Sequence, residues 1–387
     1  MNKYKLSQAV LLIFLFLLAN PFADGQPSTD VIIQAGKPVA EVQPVMWGVF
    51  FEDINFAADG GIYAELVKNR SFEFSLPLMG WRQVRKDGNG RVLPTFYSPA
   101  RPSNPRYVTI VVDAESGSFG LVNEGFRGMG IKKDLRYDFS IMARTGSGNI
   151  SGMKIELLGQ NDEIIGTAQL SGFTGEWMKH SVSFKALKTE QKATMRILFS
   201  GRGSVDIDMV SLFPSDTWKG RPGGLRRDIV QMIADLQPGF LRFPGGCIVE
   251  GRDLANRYQW KKTVGPVDER TMIMNRWNVE IRNRQAPDYF QTFGLGFFEY
   301  FQLAEDIGAE PLPILNCGMS CQFNAAEVVP MNELDPYIQD ALDLIEFANG
   351  PVTTKWGGLR ASMGHPSPFN LKYIGIGNEQ WEEQYIE

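Results

Sequence analysis

The chain has 387 residues and a formal net charge of −5; 43% of its residues are hydrophobic and 21% are charged, which is ordinary for a globular protein long enough for two or three domains. An acidic balance without a basic cluster disfavours nucleic acid as a partner. The aromatic content of 12%, with 26 Phe and 8 Trp, suits a carbohydrate-active protein whose rings stack on sugars, and it suits a large aromatic core equally well.

The first segment, residues 1–25, has the pattern of a secretory signal peptide. Lys3 and Lys5 precede an unbroken apolar run, and the small residues Ala23 and Gly25 offer cleavage sites. The apolar run is too short for a stable transmembrane helix, and no other segment is long and apolar enough to span a bilayer. We therefore expect an exported protein, periplasmic or extracellular, without membrane association after signal cleavage.

The next predicted region, residues 26–74, contains short strands. The sequence predicts a strand at Val31–Gln34, then a Gly-Lys-Pro turn, and then a second strand through Val45–Phe51. We expect the second strand to open a parallel sheet that continues much later in the chain.

Residues 75–213 change to the two-residue period of half-buried antiparallel strands. Apolar and polar side chains alternate along residues 137–143, 194–199 and 205–210, and Gly-rich turns separate such stretches. Six or more strands at this spacing predict an inserted β-sandwich.

Residues 214–387 are predicted to alternate helices with strands. The predicted elements are a helix around Leu225–Leu236, a strand from Gly239 into a Pro-Gly-Gly turn, a helix around Phe297–Ala304, a strand at Pro311–Asn316, a helix capped by Asp335 and ended by Gly350, and a strand at Leu371–Gly377. This alternation indicates βαβ units and a parallel sheet. The fold class is therefore α/β, with the sandwich interrupting a barrel between its first strand and its first helix.

Polar side chains follow each of the four predicted parallel strands. In chain order they are Glu52 with Asp53, Cys247 with Glu250 and Arg252 beyond it, Asn316 with Cys317, and Asn378 with Glu379. Strand ends converge on one face of a parallel barrel, so these groups are expected to line one pocket. Carboxylates without histidine or metal ligands point to glycoside hydrolysis.

Few cysteine or histidine residues are available for other chemistry. Cys317 and Cys321 could pair only if their local geometry allowed it, and Cys247 has no obvious partner. The two histidines, His180 and His365, lie far apart and neither has a nucleophile signature nearby. Zinc chemistry is therefore disfavoured, and neither a metal nor another cofactor is predicted.

Four segments resemble the α-L-arabinofuranosidases of glycoside hydrolase family 51: WGVFFEDI, GGIYAELVKNRSFE, LRFPGGCIVEG and YIGIGNEQW. They extend from Trp47 to Trp381, across nearly all of the mature chain. The resemblance implies a (β/α)8 barrel followed by a C-terminal β-sandwich. It also implies removal of non-reducing terminal α-L-arabinofuranosyl groups from arabinan or arabinoxylan with retention, and hence a plant cell-wall polysaccharide or an arabino-oligosaccharide as the substrate. The inserted sandwich resembles carbohydrate-binding modules found at this point in some members.

The resemblance assigns roles to particular residues. It implies that Glu379 is the general acid/base, that Asn378 binds a sugar hydroxyl and that Glu52 holds the arabinose. Cys247 stands where many members have a sugar-binding Asn, and Asn316 is included as a substrate contact because it ends a strand. Arg242, within the second barrel strand, is expected to hold a carboxylate in place.

The family's nucleophile is a second Glu on a later strand than the one that ends at Glu379. The resemblance therefore implies that only about the first four barrel strands are present, that the nucleophile and the C-terminal sandwich are missing, and that the chain alone is an inactive fragment. Glu382, Glu383 and Glu387 are interpreted as loop carboxylates rather than as substitutes for the nucleophile.

Other interpretations stay open at this stage. The chain could be a non-catalytic carbohydrate-binding protein in which the sandwich binds sugar and the barrel is scaffold. Trp81 and Trp177 of the sandwich could then stack on sugars, although the position of Trp177 between a turn and a strand favours the core. Another glycosidase activity on the same scaffold, such as an endoglucanase, is a further alternative. The sequence also leaves an oligomer open.

Overall fold

The structure, a computed structural model, describes residues 31–96, 102–277 and 289–386. The predicted signal peptide and Glu387 lie outside the described residues. Among the described residues, no helix is both long and apolar enough to cross a bilayer.

Residues 31–43 belong to a first compact unit, Met1–Gln43, and their described part forms turns without a helix or strand. The strand predicted at Val31–Gln34 is therefore wrong. The side chains of Val31, Ile32 and Ile33 are all exposed, and no strand among the described residues pairs with them. An apolar run without a hydrogen-bonding partner gains too little to form a strand in water.

The second unit, Pro44–Glu387, begins with nine strands. They are β1 (Val49–Phe50), β2 (Trp81–Lys86), β3 (Asn89–Thr95), β4 (Tyr107–Asn123), β5 (Met129–Ile131), β6 (Arg136–Leu158), β7 (Ile164–Leu170), β8 (Met178–Lys185) and β9 (Glu190–Pro214). Strands β2 to β9 pair antiparallel in one eight-stranded sheet, so the predicted antiparallel strands are confirmed.

The eight-stranded sheet folds over on itself into two layers. Strands β6 and β9 pair along most of their length, with a register shift between Thr145 and Gly148 near their middle. Ile141 and Ile155 lie on opposite sides of that shift in β6, and both belong to one buried cluster. Because bulges bend long strands, two layers enclose a shared core, as in a sandwich.

The rest of the second unit alternates helices with short strands. Its elements are α1 (Arg227–Asp235), β10 (Phe240–Phe243), α2 (Cys247–Glu250), β11 (Ile273–Met274), β12 (Phe290–Gln291), α3 (Phe297–Ile307), β13 (Glu310–Leu315), α4 (Asp335–Asn349), α5 (Lys355–Ser362), β14 (Gly375–Ile376) and α6 (Glu383–Ile386). Strands β1, β10, β13 and β14 form a four-stranded sheet in that order, and every neighbouring pair is parallel. The predicted parallel sheet is confirmed, and the sandwich strands lie between its first two strands in the sequence.

The parallel strands are shorter than predicted. Only Val49–Phe50 pairs within the predicted strand Val45–Phe51, and only Gly375–Ile376 pairs within Leu371–Gly377. The apolar run Leu371–Gly377 is expected to be buried, but Lys372, Tyr373 and Ile376 are exposed, and only Leu371 of that range is buried. In the described residues β14 has a partner on one side only, which leaves its other edge and part of its faces open.

Helix α4 begins differently from the prediction. Asp335 is the first helical residue and not a cap, because Leu334 occupies the N-cap position without a side-chain hydrogen bond. Pro336 lies in the first turn, where its missing N–H costs nothing.

Aromatic packing fixes the strand ends that lead into the site. Phe243, the last residue of β10, stacks on Tyr300 of α3 with ring centroids 4.8 Å apart and an interplanar angle of 10°. Tyr300 also contacts Phe51, which follows β1, at 5.5 Å. Since the rings of Phe51 and Phe243 both pack against Tyr300 of α3, the chain leaves β1 and β10 in fixed directions.

Candidate active site

The carboxyl ends of the four parallel strands bring the predicted site residues to one edge of the sheet. Glu52 follows β1, Cys247 begins α2 after β10, Asn316 follows β13, and the Asn378–Glu379 pair follows β14. Parallel strands share one direction, so side chains that follow them gather at the same edge.

Two adjacent glycines let Glu52 approach the turn after β10. A Cβ atom on Gly245 would lie 2.8 Å from Cγ of Glu52, closer than real side chains come. A Cβ atom on Gly246 would lie 3.6 Å from Glu52 Oε2 and equally far from Asn378 Oδ1. Glu52 and Asn378 therefore face the same small space beside Gly246, where a sugar hydroxyl could contact both.

Backbone and indole groups orient the Glu52 carboxylate. The backbone N–H of Ile248 and the Nε1–H of Trp277 both donate to Glu52 Oε1, each at 3.4 Å. Both hydrogen bonds are long. Among the described residues no hydrogen bond to Glu52 Oε2 is found, so this oxygen can accept from a further donor. A half-buried carboxylate with one oxygen held in this way can accept from a ligand hydroxyl.

Asn378 is buried, with 4% of its surface exposed, and its amide is fixed at both ends. Arg242 Nη2 donates to Asn378 Oδ1 at 2.6 Å, while Asn378 Nδ2 donates to Glu250 Oε1 at 3.3 Å. The guanidinium of Arg242 also lies over the Phe50 ring. The expectation that Arg242 holds a carboxylate is thus corrected: in the structure its guanidinium donates to the amide oxygen of Asn378.

Glu379 is exposed and sits in a strained backbone conformation. Its φ of 52° lies in the left-handed region, which costs a residue with a side chain free energy and is common at functional sites. Cys247 Sγ donates to Glu379 Oε2 at 3.2 Å. The turn thus projects the carboxylate toward α2 while leaving it open to solvent.

Three side chains around this pair were not assigned roles from the sequence. Glu250, noted there only as lying beyond a strand end, is buried and accepts from Asn378. Gln380 Nε2 donates to Glu250 Oε2 at 3.4 Å, and Arg276 Nη1 lies 3.6 Å from Glu250 Oε1. Adjacency to Glu379 could have drawn attention to Gln380, whereas Arg276 lies in an irregular segment that gives no periodic signal.

Asp53, next to Glu52, points away from this cluster into the protein interior. It accepts from the backbone N–H of Ala58 at 3.0 Å, from Gln291 Nε2 at 3.2 Å and from the Tyr289 hydroxyl. Burial, with a further contribution from the charge of Asp59, raises the pKa of Asp53 to about 8. Asp53 therefore links the end of β1 to β12 and does not face the candidate site.

Asn316 uses its amide group on backbone atoms. Its Nδ2 donates to the carbonyl oxygens of Met319 at 3.0 Å and Val249 at 3.2 Å, and its Oδ1 accepts from the N–H of Gly318 at 2.8 Å. These bonds tie α2 to the end of β13. A direct substrate contact by Asn316 stays a prediction.

The three cysteines are free thiols, so Cys317 and Cys321 do not pair. Cys247 Sγ and carboxylate oxygens of Glu250 and Glu379 lie within 4.8 Å of one another, a spacing that could suit a cation. Thiols bind metals as thiolates, but burial and the hydrogen bond to Glu379 raise the pKa of the Cys247 thiol. The trio therefore fits a hydrogen-bonded cluster better than a metal centre.

The other candidates from the sequence lie elsewhere. His180 is on β8 in the sandwich, with its ring against Phe173, and His365 contacts Glu305 at 2.8 Å. Trp81 is buried, and its indole N–H donates to the carbonyl oxygen of Asn69 at 3.0 Å, so its ring is not a sugar platform.

A large cavity is also found away from the strand ends. It encloses about 690 Å³ between the outer face of β6, β8 and β9 and the loops around Gly223 and Asp268. Serines, including Ser140, Ser181 and Ser211, line it. Asp138, Asp268 and Glu299 also line it. We assign the chemistry to the strand ends and not to this cavity, because the predicted site residues gather at the strand ends.

Comparisons with known proteins agree with the motifs. A profile of the Alpha-L-arabinofuranosidase 1 domain matches residues 232–387. An extracellular exo-alpha-L-arabinofuranosidase of Streptomyces chartreusis is 39% identical over 98% of this chain and 46% of its own length. Alpha-L-arabinofuranosidase 1 of Arabidopsis thaliana is 35% identical over 100% of this chain and 58% of its own length.

A solved structure gives the same result. The arabinose-bound α-L-arabinofuranosidase MgGH51 superposes with a TM-score of 0.78 at 32% sequence identity, covering 89% of this chain and 55% of the MgGH51 chain. The chain spans about half the length of the curated relatives it matches.

Proposed function

The chain is a homologue of the α-L-arabinofuranosidases of glycoside hydrolase family 51, and from this premise we propose that the protein removes terminal α-L-arabinofuranosyl groups from polysaccharides. The activity is assigned to the protein as a whole. That residues 1–387 are inactive on their own stays a prediction from the sequence.

The observation that carries the proposal is the Asn378–Glu379 pair at the end of β14. Glu379 is exposed and accepts a hydrogen bond from the Cys247 thiol. The neighbouring side-chain amide of Asn378 is held by hydrogen bonds to Arg242 and Glu250. A general acid must reach the leaving oxygen, and Glu379 is open to an incoming ligand. A binding protein would gain nothing from a strained carboxylate held in this way.

In the proposed reaction Glu379 protonates the glycosidic oxygen as its bond to the arabinosyl carbon breaks and a second carboxylate forms a bond to that carbon. Glu379 then takes a proton from the water that attacks the carbon and releases this carboxylate. Glu52 and Asn378 bind sugar hydroxyls, since both face the space beside Gly246. Cys247 and Asn316 are kept as candidate contacts. Retention requires a second carboxyl group about 5–5.5 Å from the acid/base.

Glu250 has an oxygen within 4.8 Å of Glu379, but we do not assign it as the nucleophile. It is buried, and its two oxygens already accept from Asn378 and Gln380. A nucleophile must approach the sugar, which these contacts prevent. The second carboxyl group is therefore assigned to a part of the protein other than this cluster.

The domain organisation is part of the proposal. We assign residues 1–25 to a signal peptide, 26–74 to the N-terminal strands, 75–213 to a carbohydrate-binding-like sandwich and 214–387 to part of a (β/α)8 barrel. The consecutive parallel order of β1, β10, β13 and β14 supports the barrel. Export to the periplasm or the medium would place the protein with plant cell-wall polysaccharides or arabino-oligosaccharides.

Product analysis with the full-length protein tests the proposal. Arabinan, arabinoxylan and 4-nitrophenyl α-L-arabinofuranoside should each release arabinose, detected by anion-exchange chromatography, whereas β-glucan should release nothing. Oligosaccharides from β-glucan without arabinose release would favour an endoglucanase. Binding to arabinoxylan with no product from any substrate would favour a non-catalytic carbohydrate-binding protein.

A further inference from the structure

Glu250 ends the one-turn helix α2, three residues after Cys247. Residues three apart lie on the same face of a helical turn, so the Cys247 thiol and the Glu250 carboxylate point the same way, toward Glu379. Only 2% of the Glu250 surface is exposed. A buried carboxylate is costly unless its oxygens are hydrogen-bonded, so its partners indicate what it is for.

The two oxygens of Glu250 bind the two neighbours of Glu379. Oε1 accepts from Asn378 Nδ2 at 3.3 Å, and Oε2 accepts from Gln380 Nε2 at 3.4 Å. The Gln380 side chain in turn accepts from the backbone N–H of Asn378. The turn that carries Glu379 is thus held on both sides by one carboxylate.

The hydrogen bonds between Glu250 and this turn are important because few contacts hold Glu379 itself in place. Its backbone is in the left-handed region, with a φ of 52°, and its side chain is exposed. Without the clamp, relaxation of the strained residue would move its carboxylate away from the leaving oxygen. A displacement of about 1 Å in a catalytic group can cost on the order of 100-fold in rate.

A cation compensates the buried charge and connects it to the other wall of the site. Arg276 Nη1 lies 3.6 Å from Glu250 Oε1 and donates to the carbonyl oxygen of Cys247 at 2.7 Å. Its guanidinium lies over the ring of Trp277, the residue that donates to Glu52. Glu250 therefore belongs to a chain of contacts from the acid/base to the sugar-binding carboxylate.

We propose that Glu250 is a positioning residue that clamps the Asn378–Gln380 turn and so aims Glu379 at the leaving oxygen. This inference rests on the proposed arabinofuranosidase function and adds a residue to it. Glu250 acts through Glu379, so removing it should impair the step in which the leaving group is protonated more than any other step.

The test compares two arabinofuranosides on the full-length protein, one with a poor leaving group (phenyl) and one with an activated leaving group (2,4-dinitrophenyl), which needs no proton. We expect Glu250→Ala to lower kcat/KM about 100-fold on the phenyl substrate and less than about fivefold on the dinitrophenyl substrate. Glu250→Gln keeps one acceptor oxygen and should fall between Glu250→Ala and the wild type. It also serves if the alanine variant does not fold.

Glu156→Gln is the matched control. Glu156 is a buried glutamate in the sandwich, paired with Arg196 at 2.6 Å, and its substitution should leave the ratio between the two substrates unchanged. Equal losses on both substrates, or no loss with either Glu250 variant, would overturn the positioning role. A wild-type protein that hydrolyses neither substrate would instead overturn the proposed function.

Discussion

Cys247 Sγ donates a hydrogen bond to Glu379 Oε2 across 3.2 Å, which joins the start of α2 to the turn after β14. Burial and this hydrogen bond raise the pKa of the Cys247 thiol, so the thiol stays protonated and available as a donor at neutral pH. A neutral donor orients the acid/base without adding a charge beside it.

Removal of this donor should reduce activity moderately. A typical hydrogen bond contributes about 0.5–1.5 kcal/mol, so Cys247→Ala should lower kcat/KM by roughly 2- to 10-fold. Cys247→Ser keeps a donor and should lose less. Steady-state kinetics on 4-nitrophenyl α-L-arabinofuranoside measures both. An alanine variant as active as the serine variant would show that the contact does not orient Glu379.

Substitution of Glu52 should weaken sugar binding. Glu52→Gln preserves the shape of the side chain but removes the charge that accepts from a sugar hydroxyl, so KM should rise about tenfold, which corresponds to roughly 1.4 kcal/mol. Glu382→Gln, at an exposed carboxylate in the segment after β14, is the control and should leave KM unchanged. An unchanged KM in Glu52→Gln would remove Glu52 from the site.

Asp53 should make stability depend on pH. Its pKa of about 8 in the folded protein exceeds the ordinary value of 3.8, so the folded chain keeps a proton that the unfolded chain releases. Its contribution to the free energy of unfolding is complete below pH 4 and is lost as the pH rises to 8, by at most about 1.4 kcal/mol per pH unit.

Asp53→Asn tests that dependence, because an amide N–H replaces the carboxyl proton at every pH. Urea unfolding at pH 5 and pH 8 should show a smaller stability difference in the variant, by about 1–3 kcal/mol. Asp162→Asn, at an exposed turn, should behave as the wild type. If Asp53→Asn keeps the full pH dependence, then Asp53 is not its source.

Gly377 directly precedes the Asn378–Glu379 pair, and we expect that no side chain is tolerated at this position. Its φ is 75°, and a Cβ atom would conflict with Gln380 Oε1 and lie 3.0 Å from Cys317 Sγ. Gly377→Ala should therefore displace the turn and lower kcat by on the order of tenfold or more.

Gly364→Ala provides the backbone control for that substitution. Gly364 has a φ of 99°, but a Cβ atom there would meet nothing within 4 Å. We expect a loss of about 1 kcal/mol in stability with unchanged kcat. If both alanine variants retain kcat, close packing at Gly377 is not needed for activity.

The sequence was sufficient to predict an antiparallel sheet, a parallel sheet and the polar residues that follow the parallel strands. Periodicity separated the antiparallel strands from the helix–strand region, because these patterns reflect which faces are buried. It could not fix strand lengths: Leu371–Gly377 is apolar, yet only two of its residues pair. Pairing depends on neighbouring strands, which a local pattern does not contain.

Contacts between segments that are far apart in the sequence were also not predicted. Arg276 reaches Glu250 and Cys321 from an irregular segment, and Trp277 reaches Glu52 from more than two hundred positions away. Arg242 was expected to bind a carboxylate, since charge alone suggests this, but it binds the Asn378 amide. Only the packed structure shows which acceptor lies within hydrogen-bonding distance of the Arg242 guanidinium.

The most direct measurement of the central claim, that Glu379 is the acid/base, is the kcat/KM of Glu379→Ala on the phenyl and 2,4-dinitrophenyl α-L-arabinofuranosides. General acid catalysis contributes about 100- to 10,000-fold, so we expect a loss of that size on the phenyl substrate and a much smaller loss on the dinitrophenyl substrate, with an unchanged Tm because Glu379 is exposed. Equal losses on the two substrates, or none, would contradict the assignment of Glu379 as the acid/base.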